Sequence, residues 1–185
     1  MENNWEGVKQ KKTSQLTKEL EFFISKLDKI RSNQISLESI SNLMVNLQGE
    51  KKPLKAVASS RISSNHELII KAFEVKSIPA ISKTILDNQL GYKLERSTKE
   101  EAIFTLTPIT KEIKERLIKE VKLVAEEGKK SFRLIHQDLK KALKEDRSLS
   151  QDQKKNCEKQ TDKLIKDYQD KFLIAEEKKI KSLSS

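Results

Sequence analysis

The residue types able to do covalent or metal chemistry are sparse in this chain of 185 residues. It holds two histidines, His66 and His136, and one cysteine, Cys157. No pair of them has the spacing of zinc ligands, so no metal site is expected. Cys157 falls on an apolar helical stripe, where a free cysteine behaves as a small hydrophobe; a Cys157 or His136 enzyme would need a partner supplied by the fold alone. Four scattered glycines cannot build a phosphate-cradling loop, so no cofactor is expected. The carboxylates sit among lysines at helical spacing, with Glu112–Arg116 and Glu115–Lys119 reading as surface i,i+4 pairs. Nothing in this inventory makes an enzyme.

The basic residues say more. The net charge is +10, which favours a polyanionic partner, most simply nucleic acid, with an anionic membrane surface as the rival. Lys122, Lys129, Arg133, Lys140 and Lys144 recur at spacings that let them share one helix face beside an apolar stripe. Phosphate contact there would make affinity salt-sensitive. A solvated lysine face is the plain alternative. Aromatics are few, so stacking of single-stranded bases is a poor fit.

The elements that position these residues are long helices. Ile109, Ile113, Leu117, Val121, Val124, Gly128, Phe132, Ile135, Leu139 and Leu143 recur every three or four residues, as do Cys157, Thr161, Leu164, Tyr168, Phe172, Ala175 and Lys179. Two amphipathic helices of this kind cannot hide their stripes alone. Leu16, Leu20, Phe23, Leu27 and Ile30 supply a third. Thr110 is the expected N-cap of the first long helix, and Ser150 with Gln153 forms a capping box for the second.

Between them, residues 32–107 read as a small mixed module. Leu43, Val45 and Leu47 alternate like a strand, Lys51–Leu54 reads as an edge segment containing Pro53, and Leu68 to Val75 is the strongest strand. Ser77 is the expected cap of a helix burying Ile78, Ile81, Ile85 and Leu86, and strands over Tyr92–Leu94 and Ala102–Leu106 follow. The expected fold is α+β: a three-helix bundle from residues 1–31 and 108–185, with an inserted β/α/β domain at 32–107. Two connections, at Arg31–Ser32 and at Thr105, Leu106, Thr107 and Pro108, would act as a hinge. The polar start Met1–Asn4 and the lack of a long apolar run predict a soluble cytoplasmic protein with no membrane span.

Several strings, in this order and spacing, resemble the ribosome recycling factor family. They are Arg31–Ser36, Ile78–Ile85, Asn88–Tyr92, Leu106–Thr110 and Leu149–Asp152. The resemblance covers the chain from about residue 13 to its end. It implies a tRNA-like shape, rRNA binding on the large subunit of the post-termination ribosome, and subunit separation driven by elongation factor G and GTP, with no bond made or broken by the factor. It departs from the family on the long helix, where the family tends to carry Arg-x-x-Arg-Arg-Asp. Here the run is Arg133-Leu134-Ile135-His136-Gln137-Asp138, and Gln34 likewise replaces a second arginine. Arginine presents a bidentate fork to phosphate that His and Gln lack, so Lys129, Lys130, Lys140 and Lys141 are expected to compensate in part. The resemblance thus puts Arg31, Lys122, Lys129, Arg133, His136 and Lys140 against rRNA, in a monomer. The competing reading is a coiled-coil adaptor that binds RNA or a protein, which self-association would reveal.

Overall fold

The computed structural model describes residues 5–184; Met1–Asn4 and Ser185 lie outside the described residues. In chain order the elements are α1 (Trp5–Asp28), α2 (Leu37–Ser41), β1 (Met44–Leu47), β2 (Glu50–Pro53), α3 (Leu54–Val57), β3 (Ala58–Ile62), β4 (Leu68–Ala72), a 3-10 turn (Val75–Ser77), α4 (Ile78–Asp87), β5 (Tyr92–Ser97), β6 (Glu101–Leu106), α5 (Lys111–Glu145) and α6 (Gln151–Ser182). The chain forms two compact units. One runs to Leu27 and includes Lys119–Ile180; the other holds Asp28–Ile118 and the segment from Lys181.

The first unit is a bundle of α1, α5 and α6. Both α1 and α6 run antiparallel to α5. The amide of Trp5 meets Asp146 while Lys26 pairs with Glu127, and Asp162 meets His136 while Phe172 packs at Gly128. The core stripe buries Leu16 and Phe23 from α1, Val121, Phe132 and Leu139 from α5, and Thr161, Ile165 and Phe172 from α6. Three rings fill its middle: Phe172 stacks on Phe23 at 3.6 Å between centroids and meets Phe132 edge-on at 5.2 Å. Gly128 makes room for them, since a Cβ there would overlap the Phe172 ring.

Both expected caps form. The amide of Ile113 donates to Thr110 Oγ1 at 3.3 Å. The capping box is reciprocal, with Gln153 N to Ser150 Oγ at 3.2 Å and Ser150 N to Gln153 Oε1 at 2.8 Å. Ile165 and Ala125 also join the core, one residue from Leu164 and Val124, which are only half-buried. A stripe drawn on gaps of three and four drifts by that much over a long helix.

The second unit holds an antiparallel four-stranded sheet in the order β3-β4-β6-β5 and a separate β1–β2 hairpin. Helix α4 packs against β1 and β5, burying Ile78, Ile81 and Ile85 with Leu68, Ile70 and Phe104 of the sheet. Four local expectations are corrected. Strand β4 stops at Ala72, and Phe73 and Val75 are exposed, because the Phe73 amide turns to the Val57 carbonyl and the 3-10 turn begins at once. Ser77 is buried and helical, and its side chain caps nothing, because that turn already leads into α4. Leu86 of α4 is exposed, since it lies off the face that holds Ile81 and Ile85. Neither Glu112–Arg116 nor Glu115–Lys119 closes as an ion pair among the described residues; both are solvated, where such pairs contribute little.

Candidate nucleic-acid interface

At 100° per residue, Lys122, Lys129, Arg133, His136, Lys140 and Lys144 fall within roughly 80° of arc on α5, over about 33 Å of helix. That sector flanks the buried line of Val121, Phe132 and Leu139, which fixes its direction in the bundle. Lys130 and Lys141 project from the opposite, outward face and do not join it.

The sector is not uniformly cationic. The His136 Nε2 lies 3.1 Å from Asp162 Oδ1 on α6, and Lys140 Nζ lies 3.8 Å from the same oxygen. Lys129 pairs with Glu126 one turn away at 3.5 Å. Lys122, Arg133 and Lys144 make no ion pair among the described residues. Asp138, which keeps its type in the Arg133–Asp138 run, is held by Lys12 of α1 at 2.8 Å. Arg133 stands at the rim of a groove of about 360 Å³ between α5 and α6, lined by Lys129, Gln169, Asp170 and Leu173 with Phe132 and Phe172 beneath. Among the described residues no group of His, Cys, Asp and Glu is arranged to hold a metal, and no helix is long and apolar enough to cross a membrane.

Arg31 belongs to the second unit, where its guanidinium is engaged internally. It donates through Nη2 to the Thr107 carbonyl and lies directly against Gly91, whose φ of +88° and missing Cβ leave the space for it. Burial lowers the Arg31 pKa from its ordinary value, with neighbouring Tyr92 opposing; burial likewise raises the Tyr92 phenol, which a backbone hydrogen bond at Ser36 and the Arg31 charge offset in part. Arginine stays protonated regardless.

The other connection residues are knit into the same place. Ser32 Oγ donates to the Gln34 carbonyl at 2.7 Å. Thr105 Oγ1 donates to Glu95 at 2.8 Å, and Leu106 pairs with Tyr92 at the end of the sheet. The Thr107 amide donates to the Gly91 carbonyl at 2.9 Å. Pro108 is exposed, and the next amide, Ile109, reaches Asn33 Oδ1 at 3.3 Å. So Arg31 and Asn33 from one connection both bond to the other, within the second unit.

Spacing alone finds the α5 row but misses what answers it. Glu126 was legible as an i,i+3 neighbour of Lys129. Asp162 lies on another helix, and only the antiparallel register of α5 and α6 brings it to His136 and Lys140.

Comparison with known proteins identifies the architecture. Residues 23–183 match the ribosome recycling factor family. The chain is 30% identical over 165 residues to the ribosome-recycling factor of Legionella pneumophila strain Paris, covering 87% of this chain and 88% of that one. It is 31% identical over 167 residues to the ribosome-recycling factor of Mycoplasmoides gallisepticum, covering 90% of each. A solution structure of the ribosome recycling factor superposes with a TM-score of 0.80 at 22% identity, over 97% of both chains. The Thermus thermophilus factor, described together with Escherichia coli elongation factor G bound to the post-termination complex, gives a TM-score of 0.70 at 24% identity over 97% of this chain and 98% of that one.

Proposed function

Because the chain belongs to the ribosome recycling factor family, a family of translation factors and not of enzymes, we propose that it acts on the large subunit of the post-termination ribosome through the basic face of α5. The supporting observation is Arg133, a planar fork that makes no ion pair among the described residues, set among basic residues on one helix face. Such a face holds rRNA phosphates by releasing counterions and needs no base readout. Elongation factor G with GTP supplies the work, and the chain contributes shape, as a monomer in the cytoplasm.

The bundle from residues 1–31 and 108–185 is the arm that binds, and residues 32–107 are the lobe that is pushed. The pivot lies at Arg31, Ser32, Thr105, Leu106, Thr107 and Pro108. Arg31, Ser32, Thr107 and Pro108 lie outside the helices and strands, tied by single bonds such as Arg31–Thr107 and Asn33–Ile109, while Thr105 and Leu106 are the last residues of β6. Bonds of this kind, each contributing about 1 kcal/mol, can break and reform under a translocase's thrust.

The test mixes the protein with post-termination ribosomes, elongation factor G and GTP and follows subunit separation by light scattering. Separation that depends on all components supports the reading, and Arg133→Gln should slow it at least tenfold at subsaturating factor. Tight, specific self-association with no effect on ribosomes would replace it with the adaptor reading.

A further inference from the structure

Resting on the ribosome-binding reading, we propose that two carboxylates, Glu126 and Asp162, sort the basic face of α5 into a contacting set and a withheld set. Lys122, Arg133 and Lys144 form a three-point ladder for RNA phosphates. Lys129, His136 and Lys140 stand in the same sector and do not touch RNA.

The sorting follows from geometry. A single oxygen, Asp162 Oδ1, serves both His136 at 3.1 Å and Lys140 at 3.8 Å, and Glu126 holds Lys129 at 3.5 Å. The three cations left without ion pairs are eleven residues apart. Eleven residues are three helical turns plus about 20°, so these residues stack nearly in line at intervals of roughly 16–17 Å. Lys129, His136 and Lys140 lie in the gaps of that line.

Asp162 is half-exposed, with its side chain 52% accessible. It therefore puts negative charge on the flank where a phosphate would meet Lys140. The distance is within the Debye length of about 8 Å at physiological salt, so the repulsion is not screened away. A nucleic acid that presents phosphates every 16–17 Å avoids Asp162 and meets the ladder. A continuous close-spaced run of phosphates must face the carboxylate. The face thus prefers a folded RNA surface over an extended strand.

Equilibrium binding of labelled protein to purified large ribosomal subunits, across about 50–200 mM salt, tests this by the steepness of log K against log salt. Lys122→Gln, Arg133→Gln and Lys144→Gln should each reduce the steepness by about 0.7–0.9, one phosphate contact apiece. His136→Gln and Lys140→Gln should leave it unchanged. Asp162→Asn should increase it by a similar amount, as Lys140 becomes free to engage, and should raise affinity several-fold at the low-salt end. If His136→Gln and Lys140→Gln reduce the steepness as Arg133→Gln does, or if Asp162→Asn changes nothing, the sorting is wrong while ribosome binding stands. If the unaltered protein does not bind large subunits at all, the functional reading itself fails, and the ladder with it.

Discussion

The carboxylate of Asp146, past the end of α5, holds Trp5 of α1: Trp5 N donates to Asp146 Oδ2 at 3.1 Å. The other oxygen of Asp146 accepts from the Ser148 amide at 2.8 Å and the Ser148 hydroxyl at 2.5 Å. One acidic side chain thereby joins Trp5 of α1 to the α5–α6 turn.

These bonds, the Ser148 hydroxyl first and then the Ser148 amide, hold the Asp146 pKa below its ordinary value, with burial opposing and the Trp5 amide and Lys154 adding to the depression. A depressed carboxylate pKa contributes stability that is present above the unfolded value, near pH ~4, and is lost as pH falls through the folded one. Asp146→Asn should therefore melt earlier at pH 7, with the gap to the parent protein closing below about pH 4. Thermal unfolding followed by circular dichroism at a series of pH values measures it; a constant gap would show that the charge on Asp146 is idle.

Gly128→Ala should destabilise the bundle. Alanine is the better helix former by about 1 kcal/mol, but its Cβ would overlap the Phe172 ring, which is fixed by Phe23 and Phe132. Overpacking of this kind costs about 1–3 kcal/mol and should exceed the gain. Phe172→Ala should cost about 3–5 kcal/mol. Combining the two should cost less than the sum, because the smaller ring site accepts the new methyl. Urea unfolding of the four proteins completes the cycle.

Gly91→Ala should disturb Arg31. The new Cβ would enter the guanidinium, and a φ of +88° is strained for alanine. The Thr107 amide, bonded to the Gly91 carbonyl, is the local reporter. Its hydrogen exchange should accelerate in both Gly91→Ala and Arg31→Ala. Unchanged protection in both would mean that Arg31 braces nothing.

Ser82 of α4 is buried, and its hydroxyl finds no partner among the described residues. Ser82→Ala removes an unsatisfied polar group and improves helix propensity, so it should be neutral or stabilising by up to about 1 kcal/mol. A clear loss of melting temperature would reveal a partner for that hydroxyl.

The long helices were legible because α1, α5 and α6 each carry an apolar stripe whose period survives every local exception. Caps were legible where side-chain chemistry decides them, as at Thr110 and Ser150. Ser77 shows the limit: the same residue type in the same sequence position caps nothing when the preceding turn already supplies helical backbone. Strand β3, with the sequence Ala-Ser-Ser-Arg-Ile, was invisible because its sheet position comes from pairing with β4 and its own side chains are mostly exposed. The short helices α2 and α3 are too brief to show a period. In the candidate interface the cations could be read from α5 alone. Their pairing with Asp162, like the Arg31–Gly91 contact, depends on partners far along the chain.

The amide of Asn33 donates to the Ser182 carbonyl at 3.1 Å, and Leu183 is buried in the same unit. A lobe begun at residue 28 is thus finished by Ser182 and Leu183, on the far side of the whole bundle sequence. During synthesis it must wait, incompletely closed, until those residues emerge from the ribosome that makes them. Deleting the segment after Ile180 should accordingly unsettle Asn33 and its neighbours while the bundle of α1, α5 and α6 keeps its interior.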